Sequence, residues 1–247
     1  MNVTQLNFNL PKKISPRLPL RYSHSTGVAR LYPVGEMLKR IREATEELPK
    51  AMLFELRDMG YSSLFEQACA CIISVRTFDE VSLPAALRLF NKASNSYDLN
   101  RLSEDEIYEL IRPSSFGREK AKALKQVAKI TLEDFDGDLP ANYETLSDLP
   151  GIGPSSANLV LGVGAQIPSL GVDIHIHRVT NRWGFLRTKN GEETLMALAQ
   201  KLPKKYWTEI NELLVPFGKH ICQGKRPKCS ICPVFQHCER NGVKNSL

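Results

Sequence analysis

No apolar run in this 247-residue chain approaches the ~18–20 residues that a membrane span needs. No acidic residue occurs in residues 1–34, although Lys12, Lys13, Arg17, Arg21 and Arg30 do. Pro11, Pro16, Pro19 and Pro33 exclude a long helix there. Residues 1–34 therefore read as a basic N-terminal extension. Their composition is also compatible with an organelle transit peptide, though the amphipathic Arg/Ser pattern is thin. No secretory signal is evident, which favours a reducing compartment and argues against structural disulfides. No segment carries a convincing strand pattern, and no internal repeat is found. The chain reads as all-α.

What the chain does hold is positive charge. Its formal net charge is +6 and its isoelectric point about 9.0. That suits a polyanionic partner, although many basic proteins bind nothing. The length allows one large domain or two small ones, with a proper core. Two of six cysteines, Cys69 and Cys71, lie in an apolar stretch and read as buried thiols.

Helical patterning places elements at about 35–59, 64–75, 81–91, 104–111, 118–135, 143–148, 192–201 and 205–217. Ser62 and Ser63 precede the apolar helix at 64, and Ser103 stands three residues before Glu106 as in a capping box. Lys120, Lys122, Lys125 and Lys129 repeat at helical spacing and read as a solvated face more than as a phosphate stripe.

The centre of the chain is Leu149-Pro150-Gly151-Ile152-Gly153, followed by a new helical pattern from Pro154. Two glycines at this spacing predict a tight hairpin between two short helices, with left-handed backbone angles. Pro suits a first helical turn. The free N–H groups of such a hairpin and helix start bind an anion, above all a phosphate, and carry no base information. Asp173, in the run Gly171-Val172-Asp173-Ile174-His175, is the one acid placed beside the hairpin.

Near the C-terminus Cys222, Cys229, Cys232 and Cys238 fall in the spacing C-x6-C-x2-C-x5-C, among Lys225, Arg226, Lys228 and Arg240. Four thiolates on one short segment can close on a single metal centre. By generic rules alone a structural zinc site ranks ahead of an iron–sulfur cluster.

The hairpin, the later Val172-Asp173-x-His175-x-x-Arg178-Val179 and the four cysteines together resemble the endonuclease III superfamily of helix-hairpin-helix DNA glycosylases. The resemblance covers roughly residues 35–240. It implies a two-domain all-α fold with a C-terminal [4Fe–4S] loop. The domains would be a helical barrel with the hairpin at 57–167 and a cluster domain made of 35–56 plus 168–247. The cysteine spacing is the one this family uses for [4Fe–4S], which places that cluster ahead of zinc. In the family the cluster pins a basic loop, here around 224–228 with Lys225 and Arg226, against DNA phosphate.

The resemblance further implies base excision repair on double-stranded DNA holding a damaged or mismatched base. The protein would act as a monomer, off the membrane, in the cytoplasm or nucleoid, or in the nucleus or an organelle of a eukaryote. Gly151, Gly153 and Ser156 of the hairpin and His175 would face DNA, and Arg76 would fill the gap in the stack. Asp173 would stabilise the positive charge that develops on the sugar as the base leaves.

One departure from the pattern is informative. Bifunctional members carry a Schiff-base lysine two residues after the second hairpin glycine. Here that residue is Ser155, which cannot form an imine. Water then becomes the nucleophile, and a monofunctional glycosylase is the expectation. The alternatives are a bifunctional enzyme using another lysine, such as Lys120 or Lys122, and a catalytically weak binder of damaged DNA. The adenine-removing branch has a glutamate in the helix at 64–75, where this chain offers only Glu66 near its start.

Overall fold

The computed structural model describes residues 32–247. The expected N-terminal extension falls outside the described residues as far as Leu31. The described chain forms α1 (Val34–Thr45), α2 (Met52–Asp58), α3 (Leu64–Ser74), α4 (Asp79–Lys92), α5 (Ser96–Arg101) and α6 (Glu104–Ile111). It continues through α7 (Gly117–Phe135), α8 (Tyr143–Asp148), α9 (Pro154–Gly164), α10 (Ile174–Trp183), α11 (Gly191–Lys201) and α12 (Trp207–His220). Three short 3₁₀ turns complete it, and no strand occurs among the described residues.

Local side chains set the helix boundaries. Ser63 and Ser103 each accept the backbone N–H three residues on, and Glu66 and Glu106 each return a carboxylate to the cap. These reciprocal bonds satisfy donors that a helix start leaves open. Asn95, Asn142 and Asn190 cap α5, α8 and α11.

The structure differs from the sequence pattern in three places. The stretch at 35–59 is two helices, with a turn after Thr45 and Pro49, which has no N–H to continue a helix, between them. The six-residue α5 stands where none was expected. The α7 lysines do not form one solvated face. Lys120 is buried, and Lys125 is half-buried with its ammonium on the carbonyls of Asn100 and Leu102.

Apolar side chains gather into two cores. The first takes Phe54 and Leu56 from α2, Ile72 from α3, Leu89 from α4, Leu124 from α7 and Val160 from α9. The second takes Met37 and Ile41 from α1, Ile176 and Trp183 from α10, and Leu214 and Phe217 from α12. The chain thus leaves the second core after α1 and returns to it after α9. Each fully buried large side chain contributes about 1.5–3 kcal/mol.

Helix α9 of the first core packs on α12 of the second. Gly162 makes this possible, since a Cβ there would meet the Thr208 hydroxyl at 2.9 Å. Arg57 pairs with Glu212 at 3.0 Å and Lys219 with Asp79 at 2.6 Å across the same seam. The hairpin, the end of α3 and the start of α10 all come together along this seam.

Candidate functional site

The hairpin between α8 and α9 closes with the Ile152 N–H on the Leu149 carbonyl at 3.0 Å. Gly151 adopts φ +82°, a conformation that side chains resist, and a Cβ there would press on Ile72 at 3.3 Å. Gly153 differs from expectation: at φ −98° and ψ 175° it is extended, so only the first glycine is left-handed. A Cβ on Gly153 would meet nothing within 4 Å. Neither backbone angle nor packing inside the protein requires glycine there. Pro154 opens α9 as expected, and the first-turn amides of that helix have no intrahelical partners. Ser156 is half-buried in this first turn; burial pushes the Cys71 thiol of α3 up, and Ser156 opposes that shift.

Asp173 is the N-cap of α10. Its Oδ1 accepts the N–H groups of His175 at 2.9 Å and Ile176 at 2.8 Å. The carboxylate is exposed, and Oδ2 carries neither cap bond.

Ser155 sits directly behind. Its hydroxyl accepts the Val172 N–H at 2.8 Å and donates to the Val172 carbonyl at 3.1 Å. This bridges the first turn of α9 to the residue before Asp173. Gly171 lies equally close, since its Cβ would stand 3.1 Å from the Ser155 carbonyl.

His175 is half-buried beside Gly218, where a Cβ would collide with the imidazole at 2.6 Å. Its Nδ1 receives the Arg178 guanidinium at 3.1 Å, which places the ring proton on Nε2. Burial holds the imidazole below its ordinary range; Asp173 opposes this shift, and Arg178 and Lys219 add to it. Arg178 also donates to the carbonyls of Gly218 and Cys222. His177 bonds Thr194 and serves the packing of α11.

Beyond the end of α3, Arg76 is exposed at φ +52°. Its guanidinium stacks 5.6 Å above the ring of Phe116, itself at φ +57° and 54% exposed. Sequence reading missed Phe116, because an aromatic residue in a turn carries no pattern that separates it from a core residue. Lys120 lies beneath this pair, and burial lowers its pKa from 10.5 to about 8. Lys122 is exposed on another face of α7, and Glu66 is committed to capping α3.

The thiols of Cys222, Cys229, Cys232 and Cys238 line one cavity, together with Arg182, Lys228 and Arg240. Burial and the neighbouring thiols push Cys232 up to about 11. Arg182 donates to the Cys222 sulfur at 3.5 Å and to the carbonyls of Gln223 and Gly224, both at 2.6 Å. The Arg240 N–H reaches the Cys238 sulfur at 3.3 Å. Lys225 and Arg226 project from this loop into solvent. Among the described residues, no three His, Cys, Asp or Glu side chains converge closely enough to ligate one metal ion.

Comparison with known proteins agrees with this architecture. The family described as HhH-GPD superfamily base excision DNA repair protein matches residues 69–205. Endonuclease III of Thermotoga maritima is 37% identical over 175 residues, which is 71% of this chain and 82% of that one. Endonuclease III homolog 1, chloroplastic, of Arabidopsis thaliana is 38% identical over 70% of this chain, which spans 48% of the plant protein. A trapped endonuclease III–DNA covalent intermediate with an estranged adenine superposes with a TM-score of 0.73 at 25% identity, covering 84% of this chain and 94% of that one. A thermostable thymine-DNA glycosylase shares the fold, with a TM-score of 0.72 at 21% identity over 83% of this chain and 95% of that one. With hairpin, capping aspartate and cysteine loop in this order on this fold, the chain belongs to the endonuclease III branch of the HhH-GPD superfamily and is a DNA glycosylase of base excision repair.

Proposed function

We propose that this protein is a monofunctional glycosylase, in which Asp173 promotes attack of water on the sugar of a flipped damaged or mismatched nucleotide. The observation that carries this reading is the pair of hydrogen bonds between the Ser155 hydroxyl and the Val172 backbone. At the family's lysine position stands a hydroxyl already committed to the backbone, and serine offers no amine for an imine. It acts as a clamp that aims Asp173.

The residues then divide the work as follows. Amides of the hairpin and of the first turn of α9 grip a phosphate, without reading sequence. Gly153 supports this role, since the open space over its Cα suits the close approach of a DNA backbone. Arg76 and Phe116 enter the duplex together and occupy the space the flipped nucleotide leaves. Extrusion costs a few kcal/mol, least at a mismatched or damaged base. As the glycosidic bond lengthens, positive charge grows on the sugar. Oδ2 of Asp173 faces that charge while Oδ1 stays bonded to two amides, so the carboxylate needs no reorganisation. Neutral His175 offers Nε2–H to a phosphate oxygen. The seam between the two cores forms the cleft, and we take the two cores as two domains of a monomer.

The cysteine loop fits a [4Fe–4S] cluster. Four thiols line one cavity in the spacing the family uses for this cluster, with Arg182, Lys228 and Arg240 placed to offset the charge of four thiolates. Cys222, Cys229, Cys232 and Cys238 would hold it, and bound it supplies positive charge that lets four facing thiols ionise together. The protein's own part is to hold the loop: Arg182 fixes 222–224, so Lys225 and Arg226 stand ready for DNA phosphate.

The test is borohydride trapping on abasic-site DNA, run beside alkali-revealed cleavage on a panel of lesion duplexes. Alkali-dependent nicks without a trapped complex are expected, and the panel names the base. A trapped covalent complex overturns the reading and sends the search to another lysine. Inactivity on every lesion, in wild type and Asp173→Asn alike, favours a binder of damaged DNA instead.

A further inference from the structure

Lys120 is a buried cation with no carboxylate beside it. It is 6% exposed, and burial is the one influence on its titration. An apolar side chain would fill the same space without removing a charge from water. Its ammonium carries three donors, and each has a different acceptor. One goes to the Ile73 carbonyl in the last turn of α3 at 2.6 Å, one to the Thr77 hydroxyl at 2.9 Å and one to the Ser114 hydroxyl at 2.9 Å.

Thr77 and Ser114 belong to the two loops that display Arg76 and Phe116, and Ile73 ends the helix from which the first loop leaves. Other bonds close the lattice: the Ser115 N–H reaches the Thr77 hydroxyl at 3.2 Å, and the Ser114 hydroxyl reaches the Ile73 carbonyl at 3.3 Å. The Lys120 N–H also holds the Phe116 carbonyl at 3.0 Å. Both displayed residues sit at positive φ on an exposed surface. Such conformations persist only where the surroundings over-determine them.

We propose that Lys120 is the positioning residue of the DNA wedge, fastening the Arg76 loop to the Phe116 loop so that the two side chains enter the duplex as one rigid pair. This rests on the reading of Arg76 and Phe116 as the inserting residues. It assigns the buried charge a task that packing alone does not, namely to join the end of α3 and the two loops at one point.

The test uses the full chain and a duplex with a tetrahydrofuran abasic analogue beside 2-aminopurine. Wild type is expected to bind this duplex tightly and change the 2-aminopurine fluorescence on insertion. Lys120→Met is expected to lose most of that change and about tenfold in affinity for the gapped duplex, while binding intact duplex within about twofold of wild type. Lys120→Arg, which keeps a multi-donor cation, is expected to restore at least half of the signal. A merely structural lysine would lower both affinities together and would not be rescued. A Lys120→Met protein with the full fluorescence change overturns the proposal. The Arg76→Ala/Phe116→Ala double variant separates the two readings: if it keeps the change, the wedge assignment itself fails, whatever Lys120 does. Should Lys120→Met not fold, Thr77→Ala and Ser114→Ala carry the test. Each should lose part of the signal, and full signal in both overturns the proposal.

Discussion

The Ser155 hydroxyl and the Val172 backbone hold each other in both directions, at 2.8 Å and 3.1 Å, one residue before Asp173. Removing the hydroxyl leaves a partly buried N–H and C=O without their partner, which costs about 1–3 kcal/mol. Ser155→Ala is therefore expected to melt a few degrees lower and to slow single-turnover base release by about tenfold, because the carboxylate is no longer aimed. Borohydride should trap neither protein. Full-speed release by Ser155→Ala would show that the clamp has no part in catalysis.

Asp173 offers a clean separation of stability from chemistry. Asparagine caps a helix as well as aspartate does, so Asp173→Asn should fold with an unchanged melting temperature. Base release should fall by at least about 100-fold, the scale of removing one preorganised electrostatic contact. DNA binding should persist. Asp173→Ala, by contrast, should lose activity and about 1 kcal/mol of stability together. Thermal melts beside single-turnover rates distinguish the two.

The two hairpin glycines should respond oppositely. Gly151→Ala forces a side chain to φ +82° against Ile72, so it should destabilise by about 1 kcal/mol, or roughly 2–4 °C in a chain of this size. Gly153→Ala meets nothing in the protein and should melt like wild type. Its methyl group would instead stand where a phosphate approaches, and about tenfold weaker duplex binding is expected, or about 1.4 kcal/mol. Equal affinity for Gly153→Ala and wild type would remove the phosphate grip from this residue.

Lys120 also leaves a signature in the pH dependence of stability. Its pKa in the fold is about 8, against an ordinary 10.5. Between those values the unfolded chain binds more protons than the folded one, so this residue's contribution to stability rises as pH climbs from 8 toward 10.5. The gain is up to about 3 kcal/mol. Urea midpoints of wild type minus those of Lys120→Met, measured from about pH 7 to about pH 10, should therefore shift in favour of wild type. A flat difference would place the ammonium in water.

Much of the fold was legible in the sequence because its helix starts are written in short polar codes. Ser103 with Glu106 placed α6, and the observed bounds of α6 and α8 match the expected ones. The break at Pro49 was equally open to reading, but Ile41, Met52 and Leu56 all suited one apolar stripe and hid it. The short α5 offers too few residues for any period to register. Lys120 shows a deeper limit. A buried lysine and a solvated one occupy identical helical spacing, and what distinguishes them is Ser114 and Thr77 arriving from elsewhere in the chain. Phe116 was silent for a related reason: the residues 113–117 are legible as a turn, but not the left-handed angle that turns its ring outward against Arg76. Asp173 drew notice through its neighbours and could be read from the sequence as a helix cap too, but that both cap bonds fall on Oδ1 alone is a matter of side-chain rotation that no sequence shows.

Helix α10 carries Asp173 at its first end and, along the same body, Arg178 and Arg182, which hold the Cys222 and Gly224 carbonyls. Ten residues of helix make a strut about 15 Å long. A strut with the capping carboxylate at one tip and the cysteine loop bolted along its side cannot be re-aimed at one place without moving the other. Mutational drift in the loop is thus felt at the Asp173 end of α10, and under the proposed mechanism it reaches the sugar through this one helix.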